Sequence, residues 1–476
     1  MPDPAPARPA PYRPEVDGLR AVAVLAAIPF HTGSPAFAAG YLGVDLFFVI
    51  SGYLITTILL RERAAGTFTL SHFYLRRIRR ILPALLAVIL LAAIPALLWL
   101  VPDQLQNFGQ SLTASALMGN NVLLWLTGGY WDVPARFKPL LHTWSLGVEE
   151  QFYLLGVPLM LLVLHRAGRR GLGLALGLVV LASLAASLLV LPRSYDAAYL
   201  LLPFRAWELA LGGLIALLPR ERVLAARAAP WLAALGGALI AAALAGLAGA
   251  DPASLAPLLL VCAGGALFIA TADQSRGVGA WLALRPLVVV GLASFSAYLL
   301  HQPVFAYVRV LSLAEPPPAL LFALVPAILL AALADAAPLI LAGHSAGAQL
   351  AIDLALDPPA GAAPITGILA ISGVFDLEPL LDTSVNAKLG LDAASARAAS
   401  PLHRLRPGAP PALFAVGAEE TRAFQHQTAR MARAWAAAGN VGSQLTVPEA
   451  DHFSILQALS DEGGVLRAAL CLATEL

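Results

Sequence analysis

Residues 18–33, GLRAVAVLAAIPFHTG, carry one arginine and one histidine in an otherwise apolar run. Eleven residues at about 100° each return Arg20 and His31 to nearly the same helical face, about 16 Å apart along the axis. A second run, LLHTWSLGVEEQFYLL (140–155), opens with His142, Glu149, Glu150 and Gln151. Positions 142 and 149 are two turns apart and share a face, while Glu150 points about 100° away. A third, ASFSAYLLHQPV, holds His301. A histidine beside a carboxylate makes an acyl-transfer unit. The imidazole takes the proton of an attacking hydroxyl, and the carboxylate orients the ring and stabilises its cation. Plainer alternatives stand beside this one. Arg20 can snorkel, His31 can sit at an interface, residues 142–151 can form a polar cap, and His301 can be a packed helix histidine. Ionisable groups within apolar spans are nonetheless functional candidates by default.

The segment HFYLRRIRRI adds Arg76, Arg77, Arg79 and Arg80, cations suited to an anionic donor because guanidinium matches phosphate geometry. The alternative is that topology alone puts arginine there. A separate constellation lies far along the chain. In PLILAGHSAGAQLA an apolar run enters Gly343-His344-Ser345-Ala346-Gly347, a nucleophile-elbow spacing. Small flanking residues allow the sharp turn, Ser345 stands at its tip, and the Ala346 N–H can serve an oxyanion hole. Glu419 and Glu420 in FAVGAEETRAF and His452 in EADHFSIL follow in the order Ser–acid–His.

The elements that must position these groups are mostly membrane helices. The 476 residues are 59% hydrophobic and 12% charged, with a mean hydropathy of +0.76. Soluble domains are about 45–50% apolar and about 25% charged. The net charge of +1 gives no basic field for nucleic acid. Cys262 and Cys471 support neither a disulfide framework nor a CxxC metal site, and no metal is expected. Residues 1–15 read as a Pro-rich disordered lead rather than a signal peptide. About ten apolar stretches are long enough to span: 17–33, 41–60, 80–101, 143–163, 172–191, 200–218, 230–249, 254–272, 286–308 and 317–335. An apolar stretch near 108–127 reads as an interfacial helix.

Basic residues fall in alternate loops: Arg61 to Arg80 between spans two and three, His165 to Arg170 after span four, and Arg220, Arg222 and Arg227 after span six. The positive-inside rule then puts these loops and both termini in the cytoplasm, and the chain in the inner membrane. The expected fold is mainly α: a polytopic bundle over 16–335, followed by a partial α/β segment over 336–476. In that segment the runs PLILAG, ITGILAISG, PALFAVG and QLTVP alternate with helical patterns, as in a parallel sheet with crossover helices.

Residues 12–335 resemble the acyltransferase-3 family of integral membrane acyltransferases. The matching segments are YRPEVDGLRAVAVLAAIPFH, GYLGVDLFFVISGYLI, FYLRRIRRILPAL, LLHTWSLGVEEQFYLL and FRAWELALGGL, in order. The resemblance implies transfer of an acyl group, commonly acetyl from acetyl-CoA, to a carbohydrate or other envelope hydroxyl. It implies roles for the Arg20-x10-His31 pair and for an R-x-x-R pair, which both Arg76/Arg79 and Arg77/Arg80 fit. Asp45 and Glu149/Glu150 fall in the other family blocks. The chain leaves the family's closing pattern at about residue 334. Residues 337–473 resemble the C-terminal half of an α/β-hydrolase of the kynurenine formamidase group, in LAGHSAGAQLA, AISGVFDLEPLL, VGAEETRAFQHQ and DHFSIL. There the resemblance puts the acid on Glu420.

No H-G-G stretch supplies a second oxyanion donor, and a membrane helix occupies the place of the earlier strands. The segment reads as a fragment joined to the membrane unit, with residual hydrolase activity or a docking role as alternatives. The leading expectation is an acyltransferase whose acyl-CoA docks on the cytoplasmic arginines while its thioester arm reaches His31. Its partners are the bilayer, acyl-CoA and a carbohydrate or lipid-linked acceptor. No bound cofactor is expected, acyl-CoA being a co-substrate. The runner-up is a hydrolase anchored by the spans, and a transporter is the third class.

Overall fold

The computed structural model describes residues 12–128, 133–219, 223, 227–247, 254–312, 315–335, 339–358 and 365–458. Arg220, Arg222, Cys471 and most of the N-terminal lead lie outside the described residues, as does the expected junction at 336. The chain divides into two compact units, Met1–Ala336 and Ala337–Leu476.

The first unit is helical. Helix α1 (Pro14–Phe30) starts with proline and places Glu15 and Asp17 in its first turn, against the positive end of the helix dipole. Helix α2 (Leu42–Ala64) follows. Helix α3 (Leu70–Trp99) begins where the Thr69 side chain accepts from the His72 N–H. This corrects the expected basic loop: all four arginines from Arg76 to Arg80 lie on the first turns of α3. Arginine is a good helix former, and the Thr69 cap sets the start ten residues before the apolar run.

Helices α4 (Pro102–Ala116) and α5 (Asn120–Thr127) occupy the stretch expected as interfacial. Helix α6 (Thr143–Val190) is 48 residues long and breaks at Gly168, with φ 62° and ψ −166°. At 1.5 Å per residue it measures about 72 Å, more than twice a bilayer core of about 30 Å, so the break joins two crossing lengths. Helices α7 (Tyr195–Leu200) and α8 (Leu202–Ala216) follow. Among the described residues, four helical stretches are long and apolar enough to cross a membrane, or five if Arg285–Leu292 and Ser294–Leu311, bent by 61°, count as one. The ten expected stretches are therefore not ten uninterrupted spanning helices. Ala229–Leu244 and Leu255–Thr271 have 16 and 17 residues and fall short of the hydrocarbon thickness. The last stretch divides into Pro318–Ala323 and Val325–Asp335 beside Pro326.

Helices α2 and α8 touch backbone to backbone. A Cβ on Gly52 would meet Leu209 O at 1.9 Å, and one on Gly212 would meet Val49 O at 2.0 Å. This close approach packs Phe48, Trp144, Val148, Tyr153 and Leu209 into one buried cluster.

The second unit is a four-stranded parallel sheet in sequential order, β1 (Leu339–His344), β2 (Ile365–Ile371), β3 (Ala412–Gly417) and β4 (Gly442–Val447). Its apolar runs are the strands expected from the sequence. The helix Ala346–Leu356 packs on one face, burying Ala348 and Ile352 with Ile368, Phe375 and Phe414. The amphipathic helix Arg422–Ala437 adds Met431 and Trp435 to the same core.

Candidate active site

Three histidines from distant parts of the chain converge in the first unit. His31 caps the C-terminus of α1, His142 precedes α6, and His301 lies in the helix Ser294–Leu311. Ring centroids are 5.0 Å apart for His31 and His301 and 5.4 Å for His142 and His301. His301 Nδ1 lies 2.6 Å from the Tyr298 carbonyl. A carbonyl only accepts, so Nδ1 carries the hydrogen and Nε2 presents a lone pair. That Nε2 is buried with no hydrogen-bond partner among the described residues, and neither His142 nitrogen has a partner of hydrogen-bond geometry. Arg309 Nη2 donates to the His31 carbonyl at 2.6 Å, and Arg309 Nε meets Glu315 at 3.0 Å. Arg309 therefore holds the end of α1 that carries His31. Sequence reasoning passed over it, although an arginine near the end of an apolar span is a visible signal.

The expected histidine–carboxylate pair does not form in this unit. Glu149 instead accepts hydrogen bonds from Ser51 and Tyr153, whose hydroxyls also contact each other. The physical reason is distance along the helix: two turns separate His142 from Glu149 by about 10 Å. Glu150 turns from that face, and its Oε1 is buried without a partner among the described residues. Asp45 joins a buried ion cluster, contacting Arg205, whose Nε lies 3.0 Å from Glu208 Oε1. Arg205 and Glu208 were quoted within FRAWELALGGL but not singled out; two charges in an apolar span were the available signal.

Two cavities flank the histidines. The smaller, about 110 Å³, is lined by Arg20, Arg77, Arg80, Ser51, Glu149, Tyr153 and His142, among others. Of the two R-x-x-R pairs, only Arg77/Arg80 faces it. Arg76 is one helical position away and pairs with Glu62 at 2.6 Å, and neither Arg76 nor Arg79 lines the cavity. Arg77 also stacks over Tyr153 at 5.6 Å, and Arg20 pairs with Asp17 at 3.0 Å. The larger cavity, about 430 Å³, is lined by His31, Tyr41, Lys138, Trp144, Asp196, Tyr199 and others. Val44 and Tyr298 line both. Helix α1 thus presents Arg20 to one cavity and His31 to the other.

In the second unit Ser345 takes φ 56° and ψ −120° at the junction of β1 and its helix. A Cβ on Gly343 would meet Gly347 O at 2.0 Å, so the turn requires glycine there. The Ser345 N–H donates to Ile371 O at 2.9 Å and pins the turn to β2. His452 Nδ1 lies 2.8 Å from Glu420 Oε2. The other oxygen of Glu420 accepts from Ser372 Oγ at 2.5 Å and from the Gly417 N–H at 2.8 Å. His344 Nε2 lies 2.7 Å from the His452 carbonyl and steadies that loop. Ser372 and His344 were not foreseen; Ser372 meets Glu420 only when β2 and β3 lie side by side, and His344 meets His452 only when the segment after β4 folds back to the end of β1. Ligand atoms of Asp376, Glu378 and His403 lie within 4.8 Å of one another. Arg430 holds Asp376 at 2.5 Å and Arg397 holds Glu378 at 3.0 Å, so these carboxylates already have cationic partners.

Residues 13–336 match the acyltransferase domain of the acyltransferase-3 family. BcsY of Komagataeibacter xylinus, provisionally described as a membrane-bound transacylase, is 32% identical over 302 residues, covering 61% of this chain and 72% of BcsY. The peptidoglycan O-acetyltransferase OatA of Listeria monocytogenes is 35% identical over 185 residues, 38% of this chain and 30% of OatA. The chain thus spans less than a third of that relative. Among solved structures, a protein of Silicibacter provisionally described as a thioesterase is 35% identical, with a TM-score of 0.25, covering 28% of this chain and 49% of that one. An esterase of Thermogutta terrifontis is 22% identical with a TM-score of 0.23, covering 29% of this chain and 53% of that one. The histidine cluster, the arginine-lined cavity and the apolar helices therefore belong to a membrane enzyme, and the chain is a member of the acyltransferase-3 family.

Proposed function

We propose that the chain moves an acyl group, acetyl first among them, from acyl-CoA to a hydroxyl of a cell-envelope carbohydrate or lipid-linked acceptor. The observation that carries this reading is the division of α1 between two cavities. Arg20, with Arg77 and Arg80, gives the smaller cavity the charge for the phosphates of CoA. His31 stands in the larger one, where a hydroxyl can approach. The acceptor oxygen attacks the thioester carbonyl, a C–O bond forms, and the C–S bond breaks. The imidazole takes the hydroxyl proton and returns it to the departing thiolate. Glu149, Ser51 and Tyr153 form a fixed polar wall on the donor side. The proposed setting is the inner membrane. With the N-terminus and the arginines of the first turns of α3 on the cytoplasmic side, those arginines lie where acyl-CoA is made.

A second reading, a hydrolase with Ser345 as nucleophile, rests on the elbow geometry and the Glu420–His452 contact. CoA release from acetyl-CoA by membranes carrying the chain separates the two. Loss of release in His31→Ala with retention in Ser345→Ala supports the membrane site. Loss only in Ser345→Ala moves the chemistry to the C-terminal unit.

A further inference from the structure

The larger cavity has a wall of a particular chemistry. Trp144 and Tyr199 lie 4.7 Å apart between ring centroids, and Tyr195 stacks on Tyr199 at 5.5 Å with planes 20° apart. All three line the cavity with His31, Lys138 and Asp196. Behind these rings sits Arg205, which does not line the cavity. Its guanidinium carbon is 5.2 Å from the Tyr199 ring centre and 6.0 Å from that of Trp144. Arg205 is itself clamped by Asp45 and Glu208. Burying three charges in an apolar bundle is costly. Their arrangement has a consequence at the rings: the cation fixes two aromatic side chains from the side away from the cavity.

We propose that this aromatic wall is a subsite for one pyranose ring of the acceptor, with Arg205 as its positioning residue. The inference rests on the acyl-transfer reading for its place in the reaction, and the binding site itself does not. A sugar ring has an apolar face of C–H groups and a polar rim. The partly positive C–H groups suit the aromatic surface that Trp144, Tyr195 and Tyr199 together give the cavity. The rim hydroxyls reach Asp196 on one side and His31 on the other. A cavity of about 430 Å³ falls within the range of about 300–1,000 Å³ usual for small-molecule sites. A hydrocarbon chain would leave Asp196 and Lys138, both of which line the cavity, facing apolar groups.

The test uses the full chain in detergent, with methyl glycosides of glucose, N-acetylglucosamine and xylose as probes. Saturation-transfer NMR reads glycoside binding, and acetyl-CoA binding and CoA release are measured separately. The expected result is saturable binding of at least one glycoside, weakened about two- to tenfold by Tyr199→Leu. Tyr199→Phe keeps the ring and retains the affinity, and acetyl-CoA binding stays unchanged in both, which verifies the fold. Arg205→Lys weakens glycoside binding and raises the acceptor KM with kcat preserved. Absence of saturable binding by all three glycosides overturns the proposal, as does binding indifferent to Tyr199→Leu. Glycoside binding without CoA release under any condition overturns the acyl-transfer reading and leaves the subsite standing. CoA release without glycoside binding does the reverse.

Discussion

Each unit orients an imidazole, and the two use opposite means. In the C-terminal unit His452 is aimed by a carboxylate, Glu420, whose second oxygen is held by Ser372 and the Gly417 N–H. In the membrane unit no carboxylate hydrogen-bonds to a histidine among the described residues. His301 is oriented by the Tyr298 carbonyl, and His31 by the helix end that Arg309 grips. The difference follows from the surroundings. Glu420 is itself buried, but His452, Ser372 and the Gly417 N–H partner its oxygens, whereas each ion in an apolar bundle costs several kcal/mol unless fully partnered. A backbone carbonyl sets a tautomer without adding charge. Of the carboxylates that the bundle holds, Glu149 is engaged by hydroxyls and Asp45 and Glu208 by arginine. A finished acid–base pair is therefore no guide to which unit turns over substrate. The lined cavities and their cations point to the membrane unit.

The sharpest way to break this contrast is His31→Ala. It is expected to lower CoA release by about 10²–10⁴-fold, the range for a general base, while Ser345→Ala leaves release within twofold. The opposite pattern would hand the chemistry to His452. Next in size, Arg205→Met strands Asp45 and Glu208 and is expected to destabilise the membrane unit by about 3–5 kcal/mol. Thermal unfolding in detergent measures this, and adding Asp45→Leu and Glu208→Leu should recover most of the loss. An unshifted single variant would mean that the cluster is solvated. Arg77→Ala should raise the half-saturating acetyl-CoA concentration about ten- to hundredfold, from loss of a charge-assisted contact. Arg76→Ala should change it far less, because Arg76 is on Glu62. Equal effects would remove the assignment of Arg77 to the cavity. The smallest effect is Ser372→Ala, which takes one hydrogen bond from Glu420 and should cost about 1 kcal/mol. Hydrogen exchange in β3 reads it, with faster exchange than in the unaltered chain.

Much of this was legible in the residues. The register of Arg20 and His31 on one helix is set by the 3.6-residue period, which needs no tertiary information. The elbow at Ser345 was visible because glycine spacing and apolar runs report local backbone demands. The start of α3 was misjudged because hydropathy marks where lipid begins, and a capped, arginine-bearing helix continues past that point. The break at Gly168 was read as a loop between spans for the same reason. The ion cluster of Asp45, Arg205 and Glu208 was missed as a cluster because Asp45 lies 160 residues from Arg205 in the chain.

What the sequence determined by itself is therefore what short-range geometry determines: apolar helices, four parallel strands, the serine turn, and which charges share a helical face. Only the tertiary structure decided which of these groups meet. It chose Arg77/Arg80 over Arg76/Arg79, gave Glu149 to Ser51 and Tyr153 instead of a histidine, and brought His31, His142 and His301 together. Helical periodicity orders side chains around one axis, but the angles and offsets between axes come from side-chain packing and glycine contacts such as Gly52 on Leu209.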